Sequence, residues 1–248
     1  MTSKKRTALI TGSGKNIGRA IALDLAAKGH NVVLNGSSDK DACEGVAAEA
    51  AMNGVETLVS MGDVGIAEDC ARIAGEALDK FGAVDVLVNN AAIRPMSPFL
   101  EMTEEEWNRV IAVDMSAAFW FARACLPGMI DKGWGRIINI AGMNAIQGYN
   151  GRSHVSVAKH AAWGLTKSLA KEFGARGIST NIISPGPIAG EHADDPEMAA
   201  HIEEQKARIP LGRLGLNEEI AAAVGLLASD GGAFINGQLI QVNGGTQT

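Results

Sequence analysis

Seven short runs of β-branched and aliphatic residues, TALIT, NVVLN, ETLVS, VDVLVNN, GRIINI, STNIIS and QLIQV, recur along the chain, and longer segments with apolar residues at helical spacing separate most of them. Polar residues do not alternate through these runs, so both faces of each strand need cover. That requirement selects a parallel sheet between two helical layers. The expected fold class is α/β, a doubly wound parallel sheet of about seven strands with helices on both faces. With 248 residues, 46% of them hydrophobic, the chain can bury a substantial core, and no compositional break divides it. One domain over residues 1–248 is expected. The single shift in composition is GEHADDPEMAAHIEEQKARIP at residues 190–210, acidic and helix-prone, after the sixth run. Its expected place is beyond the carboxyl ends of the strands, where open α/β sheets bind ligands, so residues 187–210 read as a substrate lid.

A net charge of −6 and an isoelectric point near 5.4 disfavour nucleic acid or an anionic membrane as partner, since either calls for a basic face. A small-molecule substrate fits better. Cys43, Cys70 and Cys125 are far apart, odd in number and without CxxC spacing, which argues against disulfides and zinc and for a reducing cytoplasm. They are expected in the core. The opening MTSKKRTALIT has basic residues but only a five-residue strand-type run, too short for a signal sequence or a membrane span. His192 and His201, with acids nearby, match no familiar metal spacing, and no metal is expected.

Directly after the first strand-type run comes TGSGKNIGRAIALDLAAKG, with Gly12, Gly14 and Gly18 spaced for a tight turn, a close backbone approach and helix packing. A helix N-terminus there offers free N–H groups and partial positive charge to a phosphate. A glycine-rich turn alone is weak evidence, since glycine also punctuates ordinary turns. Further along, RSHVSVAKHAAWGLTKSLAKEF at 152–173 reads as one helix whose first two turns carry little strong charge apart from Lys159.

Four more signatures accompany these: GDV at 62–64, NNAA at 89–92, PGPI at 185–188 and VNGG at 242–245. Taken with the glycine loop and SVAKHAAWGLTKSLAKE, they make the chain resemble the short-chain dehydrogenase/reductase family from end to end. The resemblance implies a Rossmann-type sheet, a bound NAD or NADP, and a homo-oligomer, tetramer or dimer, built partly through the long fourth and fifth helices. By matching position it implies that Gly12, Gly14, Lys15 and Ile17 cradle the phosphates. Asp63 and Val64 meet the adenine, Asn89 and Ala91 the ribose region, and Pro185, Gly186 and Ile188 the nicotinamide end. Asn16 stands where the family usually has a glycine, with Gly14 expected to supply the lost backbone freedom, and Ala92 replaces the last glycine of NNAG.

Where the second strand ends, an NAD-preferring relative commonly places an acid for the ribose hydroxyls, and this chain has Gly36. Lys15, Ser37 and Ser38 would present a cation and hydroxyls to a 2'-phosphate, so NADP(H) is favoured over NAD(H).

The family's catalytic set is mostly missing. Aligned on Lys159, its tyrosine position holds Val155, its serine position Gly142 and its asparagine position Asp114, while the threonine after PGxI is Gly190. General acid–base help is typically worth about 10² to 10⁴ in rate, so another group must supply it if redox chemistry survives. The candidates are Tyr149, the only tyrosine, His154 beside the lost position, and Lys159 with Asp114. A neighbour on a helix points about 100° away, so His154 serves equally well as a cap or contact. Arg94 and Arg152 flank the region and could grip an anionic substrate, or be solvated. Ser156 to Lys159 matches Ser-x-x-Lys and Ser153, His154 and Asp114 name the parts of a triad, but both are set aside, since the first spacing is commonplace in this helix and adjacent Ser and His rarely meet. Three functions stay open: an NAD(P)(H)-dependent oxidoreductase with a non-standard proton relay, a non-redox enzyme on the same scaffold, and a cofactor-binding protein without catalysis.

Overall fold

A computed structural model describes residues 5–190 and 199–248. The seven expected strands form as β1 Thr7–Ile10, β2 Asn31–Leu34, β3 Thr57–Val59, β4 Val86–Asn89, β5 Gly135–Ile140, β6 Ile178–Pro185 and β7 Leu239–Val242. All pair in parallel, in the order β3-β2-β1-β4-β5-β6-β7. The helices are α1 Asn16–Ala27, α2 Lys40–Ala51, α3 Ala67–Phe81, α4 Glu104–Ile111, α5 Ala117–Lys132, α6 Ser153–Phe173, α7 Ala199–Ala207 and α8 Asn217–Leu227. The helix read from residues 152–173 is α6, with Arg152 as its cap.

Strand periodicity explains the two cores. Ala8, Ile10, Val32, Leu34, Val86 and Val88 turn to one face and meet Ile21 and Leu25 of α1 and Ile220 and Val224 of α8. Their alternates Leu9, Val33 and Leu87 turn to the other and meet Ile73 of α3 and Phe121 and Cys125 of α5. Each large aliphatic side chain buried here is worth about 1.5–3 kcal/mol. The edge strands β3 and β7 are only half-buried, as cover on a single flank predicts.

Because α1 leaves β1 over one face while the chain after β4 passes to the other, the strand order reverses between β1 and β4. Their carboxyl ends splay, and a crevice opens there.

A π-helical turn, Ala112–Ser116, joins α4 to α5 and carries Asp114. The combined stretch Glu104–Lys132 is long and apolar enough to cross a membrane, yet half of its apolar window is buried within the protein, where α5 packs on α3 and β5. Packing within the protein accounts for the buried half of that composition. The three cysteines are free and buried, and burial pushes the Cys70 and Cys125 thiols up to about 12.

Of the 187–210 segment, residues 191–198, with His192 among them, lie outside the described residues. Helix α7 falls in the expected helix-prone part.

Candidate active site

Two adjoining cavities open at the crevice and share Asn16, Ile17, Asn90, Ala92 and Arg94. The first, about 370 Å³, lies between the glycine loop, the end of β2 and the loop after β3. Helix α1 starts there without a side-chain cap and without an acid in its first turn, leaving its first N–H groups to an anion. The backbone is drawn tight around this space. A Cβ at Gly12 would sit 3.0 Å from Ala91 Cα, and one at Gly14 or Gly36 would come within 3.2 or 2.8 Å of the same Cys43 Sγ. At Gly18 a Cβ would lie 2.1 Å from the Gly12 carbonyl oxygen, so glycine is required for α1 to approach its own entry turn.

Asn16 takes the left-handed conformation itself, with φ of 49°, and is the only described non-glycine residue to do so. Gly14 does not supply the lost freedom, contrary to expectation, because asparagine tolerates this backbone region far better than most residues. Asn35 had no signal in the sequence. Its Nδ2 donates to the Ser60 and Gly62 carbonyls, both at 3.1 Å, and its Oδ1 accepts from Gly12 N at 3.4 Å. One side chain thus ties the ends of β1, β2 and β3 together.

Gly12, Gly14, Lys15, Ile17, Ser37, Ser38, Asp63, Val64 and Ala91 all line this first cavity. Asp63 is engaged from both sides, however. Its oxygens lie 3.0 and 2.8 Å from the two terminal nitrogens of Arg109, and Gly65 N donates to it. Asp39 also stands on this wall, where it caps α2 by accepting from Ala42 N.

Asn89 does not line either cavity. Its Nδ2 donates to Asn139 Oδ1 at 2.8 Å between β4 and β5, because the strand pleat turns it inward. The next residue, Asn90, lines both cavities and donates to the Thr11 and Gly12 carbonyls at 3.0 and 2.9 Å.

The second cavity, about 430 Å³, is walled by the β5 end, the loop 141–152, the start of α6 and Pro185–Gly190. Pro185, Gly186 and Ile188 lie on it, and Gly186 is held so near Asn243 that a Cβ would come within 2.6 Å of its Cα. Gln205 of α7 reaches the same wall.

Lys159 lines this cavity while 3% exposed, and its Nζ donates to the Ile140 carbonyl at 3.2 Å. Asp114 Oδ2 lies 3.1 Å from Nζ, an ion pair without hydrogen-bond alignment, and Asp114 Oδ1 accepts from Ile93 N at 2.8 Å. The two charges therefore compensate one another inside the protein.

Val155, one turn before Lys159, is fully buried against Val110 and Ala158, and Gly142 has φ of 139° with open space where a Cβ would stand. Tyr149 is on the cavity wall, its hydroxyl accepting from Gln147 Nε2 at 2.8 Å. Asn144, unremarked in the sequence, lines the wall too and donates to Ser156 Oγ. Ser156 is thereby occupied. His154 is not brought to the cavity. It is fully buried toward α4, with Nε2 3.7 Å from Glu106 Oε1, because a helix turns adjacent residues to different faces.

Known proteins resemble the chain in sequence and fold. Residues 12–247 match the family described as Enoyl-(Acyl carrier protein) reductase. The 3-oxoacyl-[acyl-carrier-protein] reductase FabG of Staphylococcus aureus is 36% identical over 241 residues, 97% of each chain. The protein of that name from Escherichia coli is 36% identical over 248 residues, 99% of this chain and 98% of that one. Among solved structures, acetoin dehydrogenase YohF from Salmonella typhimurium superposes with a TM-score of 0.90 at 34% identity, covering 98% of this chain and 96% of the other. With the crevice at the β1/β4 reversal, the glycine turn that closes on Ala91 and a likeness that runs nearly the full length, the chain belongs to the short-chain dehydrogenase/reductase family of oxidoreductases.

Proposed function

We propose that this protein is a single-domain, NAD(P)(H)-dependent oxidoreductase acting on a hydroxyl/carbonyl substrate through a non-standard proton relay. The observation that carries the reading is the continuity of the two cavities, with an uncapped helix start in the first and Lys159 on the wall of the second. Gly12, Gly14, Ile17 and the first turn of α1 hold the phosphates of the dinucleotide; Pro185, Gly186, Ile188 and Lys159 hold its nicotinamide end. When bound, that group supplies or accepts the hydride. The chain itself provides the proton and the alignment.

Tyr149 is the proton donor in this reading, because it carries the only hydroxyl among the described residues lining the second cavity. Gln147 orients that hydroxyl from behind. Asn144 Nδ2 takes over the hydrogen bond to the substrate oxygen that a serine at 142 would give. Asp114 positions Lys159 and does not touch substrate. The test is hydride transfer followed at 340 nm over a broad alcohol and carbonyl panel. Product formed without dependence on a dinucleotide would favour the non-redox reading, and binding without any turnover the non-catalytic one.

NADP(H) is the favoured form, supported by the absence of an acid at Gly36 and by exposed Ser37, Ser38 and Lys15 on the same wall. Titration of the protein with both cofactors should show tighter NADPH binding, and tighter NADH binding would overturn the choice. Gly36→Asp needs Cys43→Ala beside it, since the new Cβ would otherwise press on the thiol at 2.8 Å. The pair should shift the preference toward NADH by about tenfold, the worth of one charge-assisted hydrogen bond.

A homo-oligomer in the cytoplasm completes the reading. It is supported by three free cysteines and by Phe119 and Val157, 43% and 46% exposed on α5 and α6.

A further inference from the structure

We infer that the second cavity is built for a substrate that carries a carboxylate, held by Arg152 with Arg94 at the join with the first cavity. The inference rests on the oxidoreductase reading only for where the reacting carbon lies; the anion site itself stands on charge and burial.

The chain as a whole carries a charge of −6, so a random cavity wall should bear more carboxylates than cations. Here the described lining residues include Arg94, Arg152 and Lys159 and neither an aspartate nor a glutamate. Lys159 is neutralised from behind by Asp114. The two arginines are not. Arg72, Arg109 and Arg213 each meet a carboxylate within 3 Å, whereas no side-chain hydrogen bond or ion pair engages Arg94 or Arg152 among the described residues.

Arg152 is half-buried, and its Nε is fully shielded without a hydrogen-bond partner. A shielded guanidinium N–H without a hydrogen-bond partner is costly, and such a cost persists where a ligand removes it. A planar carboxylate fits the guanidinium fork with two parallel hydrogen bonds. The dinucleotide's phosphates do not account for Arg152, because Gly12, Gly14 and Lys15 of the glycine loop line the first cavity and not the second, whereas Arg152 lines the second and not the first. Arg94 lines both cavities and so stands where they join.

Size narrows the ligand further. The nicotinamide end must share the 430 Å³, and a small hydroxy or oxo acid fits the space that remains. With its carboxylate on Arg152, such an acid would turn its carbonyl toward Tyr149 and Asn144, on the same wall.

Calorimetry on the full-length protein, with and without saturating NADPH, tests this using malonate, dimethyl malonate and methylphosphonate as probes. Malonate should bind and its neutral ester should not. Arg152→Gln should weaken malonate at least tenfold, Arg94→Gln less, and Arg152→Lys, which keeps the charge and loses the fork, should fall between. Dinucleotide affinity of Arg152→Gln should stay within twofold of wild type, and its melting midpoint is recorded so that misfolding is not mistaken for loss of the site. Malonate binding that survives in Arg152→Gln, ester binding equal to malonate, or binding of methylphosphonate alone would each overturn the inference. Malonate binding lost in Arg152→Gln supports it even if no hydride transfer is ever seen, an outcome that would instead sink the oxidoreductase reading.

Discussion

Replacing Lys159 by methionine should destabilise the protein by about 3–5 kcal/mol, because it strands the Asp114 carboxylate, fully buried in its side chain, without its counter-charge. In a chain of this length that lowers the melting midpoint by roughly 10 °C. The double variant Lys159→Met/Asp114→Asn should recover most of the loss, since asparagine removes the charge and keeps an acceptor for Ile93 N. Urea unfolding of the four proteins gives the coupling directly. Losses that simply add would mean the two groups do not sense each other. Dinucleotide binding is measured on the double variant, where stability no longer confounds it. Weakened binding assigns the ammonium to the ribose, and unchanged binding leaves it a role in chemistry.

The second large effect concerns the proton. Tyr149→Phe should lower the rate of carbonyl reduction by about 10² or more while leaving dinucleotide affinity alone, because only the hydroxyl is lost. Adding Val155→Tyr should bring activity back, since residue 155 lies on the cavity wall one helical turn from Lys159. The ring must enter the cavity to do so, as the space Val155 now fills against Val110 is closed. Gly142→Ser is a poorer rescue. The backbone there has φ of 139°, a region L side chains rarely adopt, and imposing a Cβ on it costs on the order of 1–3 kcal/mol. Activity of Tyr149→Phe equal to wild type would remove Tyr149 from the relay.

Strand and helix positions were legible because periodicity reports burial directly. The triplets centred on Leu9, Val33 and Leu87 are apolar at every step, and each lies in an interior strand. The glycine turn was legible for a related reason, since close backbone approach excludes every other residue at Gly18. What stayed hidden depends on orientation or on distant partners. Asn89 and Asn90 are neighbours of the same type, and only the pleat of β4 decides which faces the crevice. His154 is one residue from a position on the cavity wall, yet that step turns it to α4. The grip of Arg109 on Asp63 joins residues 46 positions apart, and no local pattern announces it. Asn16 shows the opposite failure: the departure from glycine was visible, but not that asparagine would hold the left-handed turn unaided.

The side chain of Asn35 sets a condition on redesign. Buried at the end of β2, it bridges Gly12 after β1 to Ser60 and Gly62 after β3, so three segments share one keystone, and a transplant that shifts the backbone of any one of them would break its bonds to the others. Altered nucleotide selectivity is therefore best sought at residues 36–38, downstream of that keystone, or by exchanging all three segments together with position 35.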